Sequence, residues 1–179
     1  MRIEEEIKLD YSDVLFRPKR STLKSRKDVD LNRTYKFKHS KFTWKGTPII
    51  ASNMDGVGEI NLAKKLLSHK LMTALTKQHT IEQIGSIYKN KNFINFVALS
   101  CGTSPDSYNR MNKILSKYPK FQFICIDVAN GYSENFSHFV SNVRKKYPKK
   151  TIIAGNVVTA DMTQELVLSG ADIVKVGIG

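Results

Sequence analysis

From Pro48 onward the sequence alternates short apolar runs with longer amphipathic stretches, and no other feature constrains the fold as tightly. The runs are PIIAS (48–52), LMTAL (71–75), NFVALS (95–100), FQFICIDV (121–128), TIIAG (151–155) and DIVKVG (172–177). Each is short and bounded by polar residues or Gly, as a strand buried on both faces should be. Between them, apolar side chains recur at helical spacing: Ile60, Ala63, Leu66 and Leu67 within 59–69; Ile81, Ile84 and Tyr88 within 81–89; Tyr108, Met111, Ile114 and Leu115 within 106–117. Two more helices are expected over 134–147 and 160–169, the last stopped by Gly170.

Strand, helix, strand in steady succession is the order of parallel crossover units, which leaves two α/β architectures. An open doubly wound sheet usually carries a phosphate-binding glycine turn after its first strand, and NMDGVG lacks the full GxGxxG spacing. A (β/α)8 TIM barrel needs eight units and ~250 residues. By that count the chain would hold about the first six strands and five helices. It closes on VKVGIG, a strand entering a glycine turn of the kind from which a barrel builds its active site. The expectation is therefore a partial barrel over 48–179, truncated before a catalytic loop. Residues 1–47, with polar turns and the aromatic stretch YKFKHSKFTW, would form an N-terminal arm and strands flanking the barrel.

The formal net charge of +13 comes mainly from lysine, 22 Lys against 7 Arg, spread over every segment. Such a surface is mostly a solvated one, and its positive field favours anionic ligands such as nucleotides. The basic stretch RPKRSTLKSRK (17–27) raises a nucleic-acid reading, but no RNA-binding or helix-turn-helix pattern accompanies it and the aromatics sit in core-like runs. No apolar run approaches the ~20 residues of a membrane span. The start, MRIEEEIKLD, does not read as a signal peptide, so a cytoplasmic location is expected. Cys101 and Cys125, the only cysteines, lie inside apolar runs without CxxC spacing and read as buried thiols in a reducing compartment. His39, His69, His79 and His138 are scattered, which argues against a zinc site.

Five stretches, DVLFRPKRSTLKSR (13–26), TPIIASNMDGVG (47–58), FICIDVANGYSENF (123–136), TIIAGNVVT (151–159) and SGADIVKVGIG (169–179), together resemble the GMP reductases, relatives of the IMP dehydrogenases. The resemblance runs in one register over the whole chain and implies the N-terminal half of a (β/α)8 enzyme that is a homotetramer in the family. Many IMP dehydrogenases carry regulatory modules between the second helix and third strand. Here those elements are expected to end near Asn90 and begin near Asn95, with no room for an insert. That favours a GMP reductase. An IMP dehydrogenase-like enzyme without the insert, or a non-catalytic nucleotide- or nucleic-acid-binding fragment, are the alternatives.

The resemblance implies an NADPH-dependent oxidoreductase that reductively deaminates GMP to IMP and ammonia in purine nucleotide interconversion. In the family a cysteine thiolate attacks purine C2, the amine leaves, and hydride from NADPH reaches the same carbon; a lowered thiol pKa and a proton donor are needed. That cysteine is expected beyond Gly179, so the 179 residues alone are expected to be inactive.

Several residues present are implied in the site. Asp127 ends the fourth strand and is implied as a catalytic and cofactor-contacting carboxylate with Val128 and Ala129; from the sequence alone it could equally cap the next helix. Lys77, after the second strand, is implied as a catalytic residue, and its ammonium suits a ligand phosphate or a partnership with Asp127. The sequence departs from the family in that loop, reading TKQH (76–79) where the reductases have HKHY, so that Gln78 replaces a cofactor-contacting His. Ser25 and Arg26 are implied in a neighbouring subunit's cofactor site, where an arginine fork suits a 2′-phosphate, or else belong to a solvated arm. Met54 matches a residue packed near the purine, although Met in an apolar run is more often core. Ile178 and Gly179 match the start of a loop that contacts the cofactor and whose main-chain carbonyls, Gly179 among them, bind a monovalent cation, K+.

Overall fold

The computed structural model describes Glu5, Ile7 and residues 9–177. The chain forms two compact units, Met1–Asp30 and Leu31–Gly179. In the first, two single 3-10 turns, Tyr11–Asp13 and Arg26–Asp28, are each closed by a reciprocal cap. Asp10 and Ser25 accept from the backbone of their turns, while Asp13 and Asp28 accept the amides of Asp10 and Ser25 at 2.8 and 3.0 Å.

The second unit opens with an antiparallel hairpin, β1 (Arg33–Lys36) and β2 (Thr43–Gly46). Six parallel strands follow: β3 (Ile50–Ala51), β4 (Met72–Leu75), β5 (Val97–Cys101), β6 (Phe123–Asp127), β7 (Thr151–Val157) and β8 (Ile173–Val176). Helices α1 (Ile60–Leu67), α2 (Ile81–Tyr88), α3 (Pro105–Lys117), α4 (Glu134–Lys146) and α5 (Ala160–Leu168) make the crossovers. Each expected strand and helix forms. The strand expected from Asn95 begins at Val97, because Phe93–Asn95 turns as a 3-10 helix over the buried Phe93.

Strand order decides between the two architectures. A doubly wound sheet reverses its order midway and carries helices on both faces. Here the order is β3-β4-β5-β6-β7-β8 without reversal. Leu75, Leu99, Cys101, Ile124, Ile126, Ile152 and Ala154 pack in one core with Ala63, Ile84, Met111, Val140 and Leu166 of the five helices. The alternate residues Met72, Ala74, Ala98, Phe123, Cys125 and Ile153 form a second core on the opposite face. With all helices on one side the sheet curls around the other, giving six strands of a (β/α)8 barrel.

The hairpin closes the end of that inner face where the strands begin. Phe37 and Phe42 meet Phe123 edge-on, each with ring centroids 5.9 Å apart, and Trp44 is buried with its Nε1 donating to Asn95 O at 3.0 Å. Burial of such aromatics is worth roughly 1.5–3 kcal/mol each, so this end is a packed floor. Function is left to the end where the strands finish.

Candidate functional site

The helices start where the strands end, and their caps keep the intervening loops short. Thr80 and Gln83 form a reciprocal cap on α2, Ser104 precedes Pro105 at the start of α3, and the Thr159 side chain accepts from Met162 N on α5. On this rim lie Met54, Lys77, Gln78, Asp127, Val128 and Ala129. Ser25 and Arg26 belong to the other compact unit, where the Ser25 hydroxyl caps its own turn and accepts from Lys27 N at 3.2 Å. Ile178 and Gly179 lie outside the described residues.

Asp127, the last residue of β6, is half-buried. The Lys175 ammonium on β8 donates to its Oδ1 and also to Asn53 Oδ1, at 3.1 Å, in the loop after β3. Burial is the largest single influence on this carboxyl and pushes its pKa up. The hydrogen bonds of Lys175 and Asn53 and the charges of Lys175 and Lys77 together outweigh it, holding Asp127 below the usual carboxylate value. Asp127 is thus a carboxylate at neutral pH.

Lys77 follows β4 and is exposed. Its Nζ stands across Gly102 from Asp127: a methyl group at Gly102 would lie 3.6 Å from Lys77 Nζ and 4.0 Å from the Asp127 carbonyl. Of the two roles open to Lys77, pairing with Asp127 is taken by Lys175. Lys77 makes no ion pair with a described residue, so it is the surplus positive charge of the rim.

Gln78 is exposed, whereas His79 turns inward, is buried, and lies 3.1 Å from Gly58 O and 3.4 Å from Glu59 Oε2. His79 thus braces the loop after β3 against the loop after β4. Met54 is 64% exposed, an apolar side chain offered to the rim and not a core residue. Val128 has both main-chain polar groups in use, donating to Gly155 O and accepting from Asn156 N at 2.9 Å each. It can therefore offer a ligand only its side chain, which lines a cleft of about 650 Å³ with Thr103, Asn130, Ser133 and Phe136.

Thr76 Oγ1 and Asn156 Oδ1 are buried without a hydrogen-bond partner among the described residues. Such groups cost about 1–3 kcal/mol each unless a water, ion or ligand partners them. Both cysteines are free. Burial, with Cys125 adding to it, pushes the Cys101 thiol up to about 12, and burial pushes Cys125 up to about 11. They also face opposite sides of the sheet. Neither supplies a thiolate near neutral pH.

Lys175, Asn53 and Gly155 are not found by reading the sequence. Lys175 has a signal there, being the one cation within the six apolar strand runs; Asn53 and Gly155 have none that a local pattern could supply.

Residues 8–179 match the IMP dehydrogenase / GMP reductase domain. Over its whole length the chain is 54% identical to a protein named GMP reductase from Klebsiella pneumoniae subsp. pneumoniae and 54% identical to another from Vibrio atlanticus, covering 52% of each. The chain spans about half the length of the curated relatives it matches. Among solved structures, the inosine 5′-monophosphate dehydrogenase of Legionella pneumophila superposes with a TM-score of 0.75 at 30% identity, over 94% of this chain and 50% of that one.

Proposed function

This chain belongs to the IMP dehydrogenase / GMP reductase domain family, and on that premise we propose that it supplies half of the catalytic barrel of an NADPH-dependent GMP reductase. In that reaction GMP, NADPH and a proton give IMP, ammonia and NADP+: the guanine C2–N bond breaks, a hydride takes its place, and the departing amine receives the proton. One observation carries the reading. An ionised Asp127 and a Lys77 with no ion-pair partner among the described residues stand together at the rim of a chain whose whole length aligns with about half of proteins named GMP reductase. The short connection between α2 and β5, a single 3-10 turn, favours GMP reductase over an IMP dehydrogenase with regulatory modules.

NADPH supplies the hydride when bound, and the rim suits it: a carboxylate acceptor, a free ammonium and unsatisfied buried oxygens are the partners that a polar dinucleotide needs. Asp127 accepts from ribose or amide donors, Val128 and Ala129 give apolar surface beside it, and Gln78 offers an amide in place of the family's His. The Lys77 ammonium neutralises phosphate or holds a proton at Nζ near the departing amine. Met54 covers the purine of GMP or IMP. Ser25 and Arg26 serve a neighbouring subunit's cofactor in a homotetramer, with the Arg26 guanidinium on the 2′-phosphate. Ile178 and Gly179, which fall outside the described residues, would contact the cofactor, and Gly179 would hold the monovalent cation, K+. Two free buried thiols suit a reducing, cytoplasmic setting. Among the described residues no helix is long and apolar enough to cross a membrane.

Because neither cysteine is a competent nucleophile, the 179-residue chain with GMP and NADPH should leave the NADPH absorbance band unchanged. Adding the complementary half of a GMP reductase relative should restore its decay. Turnover by the chain alone would overturn the assignment of the nucleophile elsewhere. Reduction of NAD+ with IMP, and none of GMP, in the reconstituted assembly would replace GMP reductase by IMP dehydrogenase.

A further inference from the structure

We infer that Lys175 is a positioning residue of this rim: its ammonium, clamped between Asp127 and Asn53, aims the Asp127 carboxylate across the mouth of the curled sheet and leaves Lys77 free for an anionic ligand. The inference rests on the reading of the rim as a nucleotide site and adds to it a residue and a device.

The register shows how the clamp is built. Asp127 pairs with Gly155, and Gly155 pairs with Lys175, so the three lie in one row across β6, β7 and β8. A side chain at the middle position would stand between the other two. Position 155 has none, and none is tolerated: a methyl group there would lie 2.5 Å from the Lys175 carbonyl oxygen and 2.6 Å from Lys175 Cβ. The bare glycine is the gap through which an ammonium on β8 reaches a carboxylate two strands away.

The second anchor comes from the other side of the sheet. Asn53 follows β3, the first strand of the six, while Lys175 lies on the last. One ammonium therefore links both ends of the curl across its mouth. Lysine's flexible stem and rotatable donors suit such a link.

Charge and burial point the same way. The side chains of Lys175 and Asp127 retain 27% and 25% exposure, so the pair is open to a ligand while sheltered from full screening. The groups that act electrostatically on Asp127 or are acted on by it are Lys175 and Asn53, Lys77 from the loop after β4, and the thiols Cys125 on its own strand and Cys101 on β5, the last packed on the opposite side of the sheet from Cys125. With both thiols neutral and Lys175 matched to Asp127, the residual charge is the ammonium of Lys77.

The test compares wild type with Lys175→Met, which keeps the stem and removes the charge, and Lys175→Arg, which restores charge in another shape. Asp127 is followed by carboxyl-carbon NMR through an acid titration, and NADPH affinity by fluorescence titration at neutral pH. Lys175→Met should move the Asp127 midpoint upward and weaken NADPH about tenfold, the scale of one lost hydrogen bond to a charged group. Lys175→Arg should recover the midpoint and most of the affinity. Asn53→Ala, which removes no charge, should move both readouts in the same sense by less, and it keeps the test decisive if Lys175→Met does not fold. An unchanged Asp127 midpoint in Lys175→Met, or unchanged NADPH affinity despite a moved midpoint, would overturn the proposal. A wild-type chain that, with the complementary half of a GMP reductase relative present, binds no NADPH while its Asp127 still responds to Lys175→Met would refute the nucleotide reading and uphold the clamp.

Discussion

Two aspartates paired with cations sit at opposite ends of the same sheet, and they are built to opposite specifications. At the floor, Asp172 has no exposed side-chain surface and meets Arg144 at 2.6 Å. Its Oδ1 accepts the amides of His39 and Ser40 from the hairpin turn, at 2.9 and 3.2 Å, and its Oδ2 accepts Ile152 N of β7 at 3.2 Å. Arg144 spends its remaining donors on the carbonyls of Gly170, Tyr147, Pro148 and Lys150, at 2.7 to 3.2 Å. At the rim, Lys175 and Asp127 stay partly exposed, with Asn53 as the one further side-chain partner of Lys175 among the described residues. A saturated pair fastens elements together, whereas an unsaturated one is available to a ligand.

The largest expected effect tests that contrast directly. Asp172→Asn leaves the Arg144 guanidinium buried without its counter-charge, and breaking a buried pair in this way costs about 3–5 kcal/mol. Asp127→Asn, at the exposed pair, should cost no more than about 1 kcal/mol. Urea unfolding of the two variants measures both. Equal costs for Asp172→Asn and Asp127→Asn would break the comparison.

A middle-sized effect sharpens it through two glycines. At Gly155 an added methyl group would collide with the main chain of β8, so Gly155→Ala should cost about 1–3 kcal/mol by overpacking. At Gly102 the same methyl group would sit at ordinary contact distance from Lys77 Nζ, and Gly102→Ala should stay within ~0.5 kcal/mol. Thermal unfolding of the pair decides whether the rim is tightly packed only along the row that seats Lys175.

The same contrast explains what can be read in advance. Periodicity is local, so the strands and helices from Pro48 onward are legible, as is the pair of inert cysteines inside apolar runs. The β1–β2 hairpin is legible only in outline: strands flanking the barrel are expected within residues 1–47, but RTYK and TWKG are too short and polar to mark their positions, and they order by packing Phe37, Phe42 and Trp44 against residues far along the chain. Asp172 is likewise silent, because its partners at His39 and Ser40 lie across the whole fold. At the site, Asp127 and Lys77 are reached through a resemblance. Lys175 is hidden because DIVKVG counts as one apolar run, although a lone cation in such a run has to find a counter-charge.

The smallest expected effect concerns pH, and its sign follows from the rim pair. Asp127 titrates in the folded chain below its value of ~3.9 in an unfolded one. A carboxyl with a depressed folded pKa binds its proton more readily when unfolded. Its stabilisation is therefore fully present above ~pH 4 and is lost as pH falls through the folded value. The stability difference between wild type and Asp127→Asn should accordingly be flat from neutrality down to about pH 4 and narrow below it. Salt should reduce the plateau, since the pair is partly exposed. Urea unfolding at a series of pH values reads this out. A difference that failed to narrow in acid would mean that the amide introduced by Asp127→Asn is disfavoured for its shape, and that the charge of Asp127, on which the rim's chemistry depends, contributes nothing to the fold.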